Sequence, residues 1–220
     1  MIEEYLKVPS ETLLLAAWQT IYMVGVALII GAFIGMVLAV LLVLTKPGGL
    51  KESKIFYSVL NTTVNIVRSI PFIILLVAIM PLTKLIVGTR IGTTAALIPL
   101  IAHVAPYLAR LFENSMLEVE DGIIEAAQSM GASIPQIIWY FLAPEAKSSL
   151  ILALTTGTIG LLGSTAMAGA IGAGGVGNLA LTYGYERLNM PLMIVTVVIL
   201  IVIVHFIQTL GNYLAHRFRH

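Results

Sequence analysis

The feature that most constrains this chain is a set of long stretches without a charged side chain. Residues 12–45, 69–83 and 148–185 contain no Asp, Glu, Lys or Arg. A helix of about 20 apolar residues crosses the roughly 30 Å hydrocarbon core of a bilayer, and a small soluble domain cannot cover helices that are apolar on every side. Only 10% of the 220 residues are charged, against about 25% in soluble domains. The sequence therefore predicts an all-α integral membrane protein.

Turn residues divide the hydrophobic sequence into five predicted spans. The segments 45–54, 80–92 and 183–191 interrupt the apolar pattern with Pro, Gly and polar residues. We expect one membrane domain, residues 12–215, between an N-terminal segment, 1–11, and a tail, 216–220. The predicted spans are 12–44, 56–80, 93–115, 149–170 and 190–215, and the longest loop between them is 116–148.

The basic residues predict which side of the membrane each loop faces. Five spans put the termini on opposite sides, and cytoplasmic loops carry an excess of Lys and Arg. We therefore expect the N-terminus outside and the C-terminus in the cytoplasm, with loop 116–148 also cytoplasmic. This orientation gives seven inner residues (Lys46, Lys51, Lys54, Arg110, Lys147, Arg217, Arg219) and four outer ones (Lys7, Lys84, Arg90, Arg187).

Loop 116–148 has the pattern of a helical hairpin. Asp121 is a predicted N-cap for a first helix, and Gly131 is placed to end that helix in a left-handed turn. Ser133 and Gln136 form a capping box for a second helix, which Pro144 is expected to stop. The second helix carries an apolar stripe of Ile134, Ile137, Ile138, Phe141 and Leu142.

Two interpretations of this hairpin follow from the residues alone. It is either a rigid knob that protrudes into the cytoplasm or an interfacial hairpin that only connects two spans. The motif Glu125-Ala126-Ala127, with Gly131 and then Pro144 thirteen residues later, resembles the EAA loop of ABC-importer permeases. The resemblance implies the type-1 ABC importer permease fold, and a loop in which these five residues couple the chain to a separate ATPase.

A second resemblance covers nearly the whole chain. The stretches NIVRSIPFIILL (65–76), APYLARLFENSMLEV (105–119) and STAMAGAIGAGGVGNLALTYGY (164–185) are similar to methionine-importer permeases. It implies a homodimer in the bacterial cytoplasmic membrane, two ATPase subunits that bind ATP and Mg, and an external substrate-binding lipoprotein. The implied substrate is D- or L-methionine. Polar-amino-acid permeases commonly read Arg-Gly-Thr-Pro where this chain has Arg-Ser-Ile-Pro (68–71), so another amino acid or a small organic solute is the alternative.

A polar stripe runs along the second predicted span. Asn61, Asn65, Arg68 and Ser69 share one helical face by their spacing. An arginine near the bilayer centre costs about 2.5–3.5 kcal/mol on insertion scales, so it should face a cavity or a partner. The stripe is therefore either the lining of the translocation pathway or a set of interhelical hydrogen bonds. Pro71 predicts a bend in this span.

Glycine-rich patterns mark two further segments. Gly160, Ser164 and Ala168 repeat every four residues, which favours close helix packing at a dimer or gate interface. Residues 172–177 fit G-x-G-x-x-G, but they follow a membrane span rather than a strand. We therefore expect a flexible outer segment at the mouth of the pathway and no nucleotide site there.

Other chemistry finds little support in the sequence. There is no G-x-x-x-x-G-K-[ST] motif, no cysteine, no plausible hydrolytic set and no basic-aromatic surface for nucleic acid. His103 and His205 have no metal-ligand companions nearby in sequence. We expect a transport subunit without catalytic residues, metal or cofactor of its own, surrounded by lipid. The alternatives are a secondary transporter or channel and, more distantly, a membrane-embedded enzyme.

Overall fold

The computed structural model describes residues 8–218, and every regular element in that range is helical. The longer helices are α1 Ser10–Thr45, α2 Lys54–Ser69, α3 Phe72–Ala78, α4 Met80–Val87, α5 Thr93–Leu117, α6 Asp121–Ser129, α8 Lys147–Gly169 and α10 Met190–Arg217. Between them lie α7, residues 134–145, and α9, residues 175–185. Each of these two contains a π-helical segment, Ile137–Leu142 in α7 and Leu179–Tyr185 in α9.

Within residues 8–218, four helices are long and apolar enough to cross a membrane: α1, α5, α8 and α10. They overlie four of the predicted spans. The second predicted span, 56–80, is not one continuous helix, because it divides into α2 and α3, a bent pair that makes a fifth span only if the two count together. Pro71, with φ −54° and ψ 135°, lies at the break. It has no N–H to donate and disfavours a helical Ile70, so the predicted bend is a full interruption.

The described residues form two compact units. The first contains residues 8–31, 70–104 and 158–207, and the second contains residues 32–69, 105–157 and 208–218. In the first unit, the N-terminal half of α1 packs on α9 and α10. Its buried clusters join Val8 to Leu192 and Ala16 to Val176 and Leu179.

Most of the glycine-rich segment in the first unit is buried or half-buried, with Gly172 exposed, so the predicted flexibility of this segment is wrong. Gly174 and Gly175 have φ of +82° and +84°, which turns the chain back into the protein. The Gly175 N–H donates to Gln19 Oε1 at 2.8 Å, and the Val176 N–H donates to Thr20 Oγ1 at 2.9 Å. The glycines therefore shape a packed turn that α1 holds in place.

The small-residue repeat of α8 is used mainly inside the first unit. Ser164 is 4% exposed and Ala168 is fully buried, whereas Gly160 is exposed. On the same helix, Ala166 lies so close to α9 that a Cβ at Gly177 would overlap its backbone. Small residues thus allow close packing within the chain. An interface with a second copy stays a prediction, and of the three repeat residues only Gly160 is exposed enough to take part in it.

The second unit holds the helical hairpin that the sequence predicts. Met116 at the end of α5, Leu142 and Ala146 form its buried cluster, which also contacts Met36 and Val40 of α1. Two side-chain hydrogen bonds add to this packing, since the Ser148 hydroxyl donates to the Ala215 carbonyl at 3.0 Å and the Ser149 hydroxyl donates to Glu118 at 2.7 Å. The hairpin is therefore anchored at both ends.

Candidate functional site

The hairpin begins immediately after α5. Three residues, 118–120, separate Leu117 from the start of α6 at Asp121. Glu120, not Asp121, occupies the N-cap position, and no side chain caps the helix. Asp121 is instead the first helical residue, where a negative charge interacts favourably with the helix dipole.

Gly131 ends the first helix as predicted. It has φ of +78°, in the left-handed region that costs glycine little. Its N–H donates to the Gln128 carbonyl at 2.9 Å, and the Ala132 N–H donates to the Ala127 carbonyl at 3.1 Å. A Cβ at position 131 would have no heavy atom within 4 Å, so the constraint there is the backbone conformation and not space.

The second helix, α7, begins as predicted and ends differently. Gln136 Oε1 accepts the Ser133 N–H at 2.8 Å and the Ser133 hydroxyl at 2.9 Å. Pro144 does not stop the helix, because the helix continues to Glu145. Proline cannot make the i→i−4 bond of an α-helix, and the preceding turn is widened into the π segment Ile137–Leu142.

The exposed face of the hairpin also differs from the predicted stripe. Ile137 is 1% exposed and Leu142 is 4% exposed, so both pack inside this chain. Trp139 and Tyr140 are instead 72% and 73% exposed, beside Met130 at 69%. The other predicted stripe residues, Ile134, Ile138 and Phe141, are half-buried, so the whole stripe keeps one face and that face packs on the rest of this chain. We call Met130, Trp139 and Tyr140 the exposed hairpin face.

The residues of the EAA motif divide between packing and exposure. Ala127 is fully buried, whereas Glu125 and Ala126 are exposed. Glu125 borders a cavity of about 390 Å³, together with Asp121, Gln128 and Lys46. The loop 47–50 forms the far wall of this cavity. An alanine at 127 is therefore required by packing, and the carboxylate of Glu125 stays accessible.

The polar stripe of α2 splits into two sets. Asn65 and Ser69 are exposed, whereas Asn61 and Arg68 are half-buried. The Arg68 guanidinium lies 6.0 Å from the Tyr107 ring centroid, and its Nε has no hydrogen-bond partner among the described residues. The four residues predicted as one pathway lining therefore do not share one environment.

The exposed polar residues of α2 include two that the sequence analysis missed. Ser58 and Thr62 are exposed and lie two turns and one turn before Asn65, respectively. The spacing i, i+4, i+7, i+11 puts Ser58, Thr62, Asn65 and Ser69 in one row. The same periodicity would have found them in the sequence. We call these four residues the polar face of α2.

A buried ion pair in α5 was also missed. Arg110 Nη1 lies 2.6 Å from Glu113 Oε2, and the two side chains are 17% and 2% exposed. The Arg110 Nη2 donates to Asn61 Oδ1 at 2.5 Å and to Asn65 Oδ1 at 2.9 Å. Arg110, predicted as a cation of an inner segment, thus lies within a membrane-spanning helix. A charged pair spaced i, i+3 in an apolar span was the available signal.

The asparagines therefore serve as interhelical hydrogen-bond acceptors. Asn61 and Asn65 join α2 to α5, as the hydrogen-bonding alternative predicts, while Asn65 also remains part of the exposed polar face. Among residues 8–218 no group of His, Cys, Asp and Glu is placed to hold a metal ion. The His103 ring packs against the Phe72 ring at a tilt of 57°, with centroids 5.1 Å apart, and His205 is exposed.

The profile of one protein family covers most of this arrangement. Binding-protein-dependent transport system inner membrane components match residues 31–220, which include the hairpin, α2 and the Arg110 pair. The chain belongs to this family. It is thus a multi-pass permease subunit of an ABC importer in the bacterial inner membrane, and ATP hydrolysis is carried by a separate subunit. The expected type-1 permease fold is confirmed.

Individual relatives are similar along the whole chain. The probable D-methionine transport system permease protein MetI of Vibrio cholerae serotype O1 is 47% identical over 219 residues, which is 100% of this chain and 97% of the relative. The methionine import system permease protein MetP of Bacillus subtilis is 43% identical over 213 residues, 96% of each chain.

A solved structure shows the same fold. A chain of the MetNI methionine ABC transporter, crystallised in an inward-facing conformation, superposes with a TM-score of 0.94 at 41% identity. The match covers 96% of this chain and 98% of that one. The broken second span and the hairpin therefore lie within an architecture known from an ABC importer.

Proposed function

We propose that this chain is the permease of a methionine importer that accepts D-methionine, L-methionine or both. The observation that carries the proposal is the 47% identity to a probable D-methionine permease over the full length of this chain. The similarity to a chain of the MetNI methionine ABC transporter supports it. Two copies of the chain form the pathway, an external binding protein delivers the amino acid, and two cytoplasmic ATPases drive transport.

The exposed hairpin face is the docking surface for the ATPase in this proposal. Trp139 and Tyr140 are large aromatic side chains left uncovered on a helix that buries Ile137 and Leu142. Aromatic residues of this kind dominate protein–protein contacts. Glu125 adds a charge that is accessible on the same hairpin. ATP and Mg then bind the partner ATPase, and the hairpin lies in the cytoplasm with the N-terminus outside.

The polar face of α2 lines the pathway in this proposal. Asn65 and Ser69 already make hydrogen bonds within the protein. The hydroxyls of Ser58 and Thr62, however, find no water in the hydrocarbon core of a bilayer, and turning them to lipid is costly. They are exposed in the single chain. A water-filled pathway next to a second copy satisfies them.

Uptake by the reconstituted complex tests the substrate. Proteoliposomes that contain this chain, its ATPase and its binding protein should accumulate radiolabelled methionine when ATP is enclosed with the ATPase. Unlabelled L-methionine and D-methionine are tested as competitors against histidine, arginine and glutamine. Competition by either methionine isomer alone supports the proposal. Accumulation of a different amino acid with no effect of methionine contradicts it and favours the alternative amino-acid permease.

A further inference from the structure

We propose that Arg110 is a positioning residue that fixes the rotation of α2 about its own axis. In that role it keeps the polar face of α2 toward the pathway and links this face to the coupling hairpin. The pathway part of the inference rests on the proposed function. The part that concerns the rotation of α2 rests only on contacts within the second unit.

Apart from Arg68, whose guanidinium lies 6.0 Å from the Tyr107 ring centroid of α5, the helix α2 has few other contacts that could fix its rotation. It is described in full, and Val64 is its only buried residue. Three of its apolar side chains, Ile55, Val59 and Ile66, are 82%, 63% and 59% exposed. Contact of these apolar side chains with lipid is non-directional, so it favours a range of rotations of the helix and does not fix one. A directional contact on the opposite side is required.

Arg110 supplies that directional contact. Its planar guanidinium donates to Glu113 on its own helix and to Asn61 and Asn65 on α2. Asn61 and Asn65 lie one turn apart, so a rotation of α2 moves both acceptors away from the guanidinium together. A lysine has a compact ammonium and cannot reproduce the planar fork.

Glu113 holds the guanidinium in place. Its side chain is 2% exposed and accepts from Arg110 at 2.6 Å. Burial of a charge without its partner is strongly unfavourable, so each member of this pair keeps the other at this position. Glu113 therefore positions the Arg110 guanidinium, which in turn binds the two asparagines of α2. We call Arg110, Glu113, Asn61 and Asn65 the clamp.

The position of the clamp connects it to the hairpin. Arg110 and Glu113 lie in the last turns of α5, which ends at Leu117, and α6 begins at Asp121. A displacement of the hairpin at Glu125 therefore reaches the C-terminal end of α5 through three residues. From there the guanidinium carries it to α2 by direct contact. We infer that the clamp transmits movement of the hairpin to the pathway.

Cysteine accessibility tests the rotation directly, because the chain contains no cysteine. Single cysteines are placed at Ser58 and Thr62 on the polar face and at Val59 and Ile66 on the apolar side. Each is labelled in the assembled complex with a small water-soluble thiol reagent. With Arg110 present, we expect fast labelling at 58 and 62 and slow labelling at 59 and 66.

The informative variant removes both charges at once. Arg110→Met alone leaves Glu113 buried without a partner, which also destabilises the fold. Arg110→Met with Glu113→Leu replaces the pair by apolar groups, a change that buried ion pairs often tolerate. We expect this double variant to assemble in normal amounts, to lose the labelling contrast between the two sides of α2, and to lose uptake while it retains ATP hydrolysis.

Asn61→Leu removes one acceptor without a change of charge and should lose part of the contrast. Asn114→Ala, an exposed change on α5, should keep all of it.

The outcomes separate this inference from the proposed function. A double variant or an Asn61→Leu variant that keeps the full labelling contrast overturns the clamp, whatever its transport activity. Absence of the contrast with Arg110 in place overturns it as well. If the contrast depends on Arg110 but the complex does not take up methionine, the proposed substrate fails and the rotation role of Arg110 stands.

Discussion

Single residues set the conformation of the hairpin formed by α6 and α7. Gly131 has φ of +78° with open space around it, so its role is a backbone role. The fully buried Ala127, in contrast, has a packing role four residues earlier. The turn between α6 and α7 thus depends on one residue that must be left-handed and one that must be small.

We predict that Gly131→Val uncouples ATP hydrolysis from uptake. A β-branched residue is strongly disfavoured at positive φ, by about 1–3 kcal/mol, so the turn between the two helices should rearrange. Gly131→Asn should be tolerated better, because asparagine adopts this conformation more readily. Parallel measurements of ATP hydrolysis and uptake in proteoliposomes check this.

Gly122→Ala is the matched control for that prediction. Gly122 lies in α6, where φ is negative, and a methyl group added there meets open space. We expect the Gly122→Ala variant to retain full ATP hydrolysis and full uptake. Normal uptake by Gly131→Val would instead show that the hairpin tolerates a different turn.

At the scale of elements, long-range hydrogen bonds hold short helices in the membrane domain. The N-terminus of α9 is tied to α1 by the Gln19 and Thr20 side chains. The hydroxyl of Thr20 is part of a side chain that is only 2% exposed. α9 is too short to be stable alone, so these contacts and its burial keep it in place.

We predict that Gln19→Leu loosens the turn that precedes α9. The Gly175 N–H loses its acceptor, and an unsatisfied donor of this kind costs about 1–3 kcal/mol. Hydrogen exchange should accelerate in residues 172–178, and the melting temperature of the purified chain should fall. Trp18→Leu, an exposed neighbour on α1, is the control and should leave exchange in this segment unchanged. Unaltered protection in Gln19→Leu would mean that packing alone holds the turn.

We predict that the exposed hairpin face carries most of the affinity for the ATPase. Trp139→Ala should weaken assembly by about 2 kcal/mol, roughly 30-fold in Kd, as expected for an aromatic residue at the centre of an interface. Leu188→Ala is the control, since Leu188 is 83% exposed but lies in the loop before α10, on the predicted outer side. Binding of the detergent-solubilised permease to immobilised ATPase provides the measurement. Equal loss in both variants would place the ATPase contact elsewhere.

At the scale of the whole molecule, membrane orientation decides which partner meets the hairpin. The acidic residues are concentrated there: six of the eleven lie in or beside loop 116–148, namely Glu113, Glu118, Glu120, Asp121, Glu125 and Glu145. The structure places Glu113 within α5 and paired with Arg110, so it is not part of the soluble surface. The remaining acids favour a partner with basic groups around an apolar groove.

We predict that Glu125→Lys weakens assembly with the ATPase and that an acidic substitution on the ATPase partly restores transport. An exposed charge at an interface rim acts mainly on association rate, so the effect should grow at low salt. Glu186→Lys, an exposed acid before α10, should have no such effect. Cysteines placed at positions 125–134 should crosslink to the ATPase. Crosslinks to the external binding protein would reverse the predicted orientation of the chain.

The sequence alone determined the features of this protein that depend on local physics. Uncharged apolar runs of span length required membrane helices, because lipid offers no partner for charges or for open backbone. Gly131 required a left-handed turn, and Pro71 required at least a bend, because both constraints act through one residue's backbone. The EAA spacing identified the permease family, since the hairpin that it describes is itself a local structure.

Only the tertiary structure decided which side chains meet. Asn61 contacts Arg110 across 49 residues of sequence, and Gly175 contacts Gln19 across 156. For that reason the predicted pathway stripe divided: Asn61 and Asn65 accept hydrogen bonds from Arg110, whereas, within the described residues, Arg68 and Ser69 form no hydrogen bond with it. The predicted flexible segment proved to be a packed turn. The apolar stripe of α7 proved to pack inside the chain, and the exposed side, with Trp139 and Tyr140, is the opposite one. In the pathway stripe and the glycine-rich turn, a hydrogen bond between distant residues outweighed the local pattern, and periodicity carries no information about such partners.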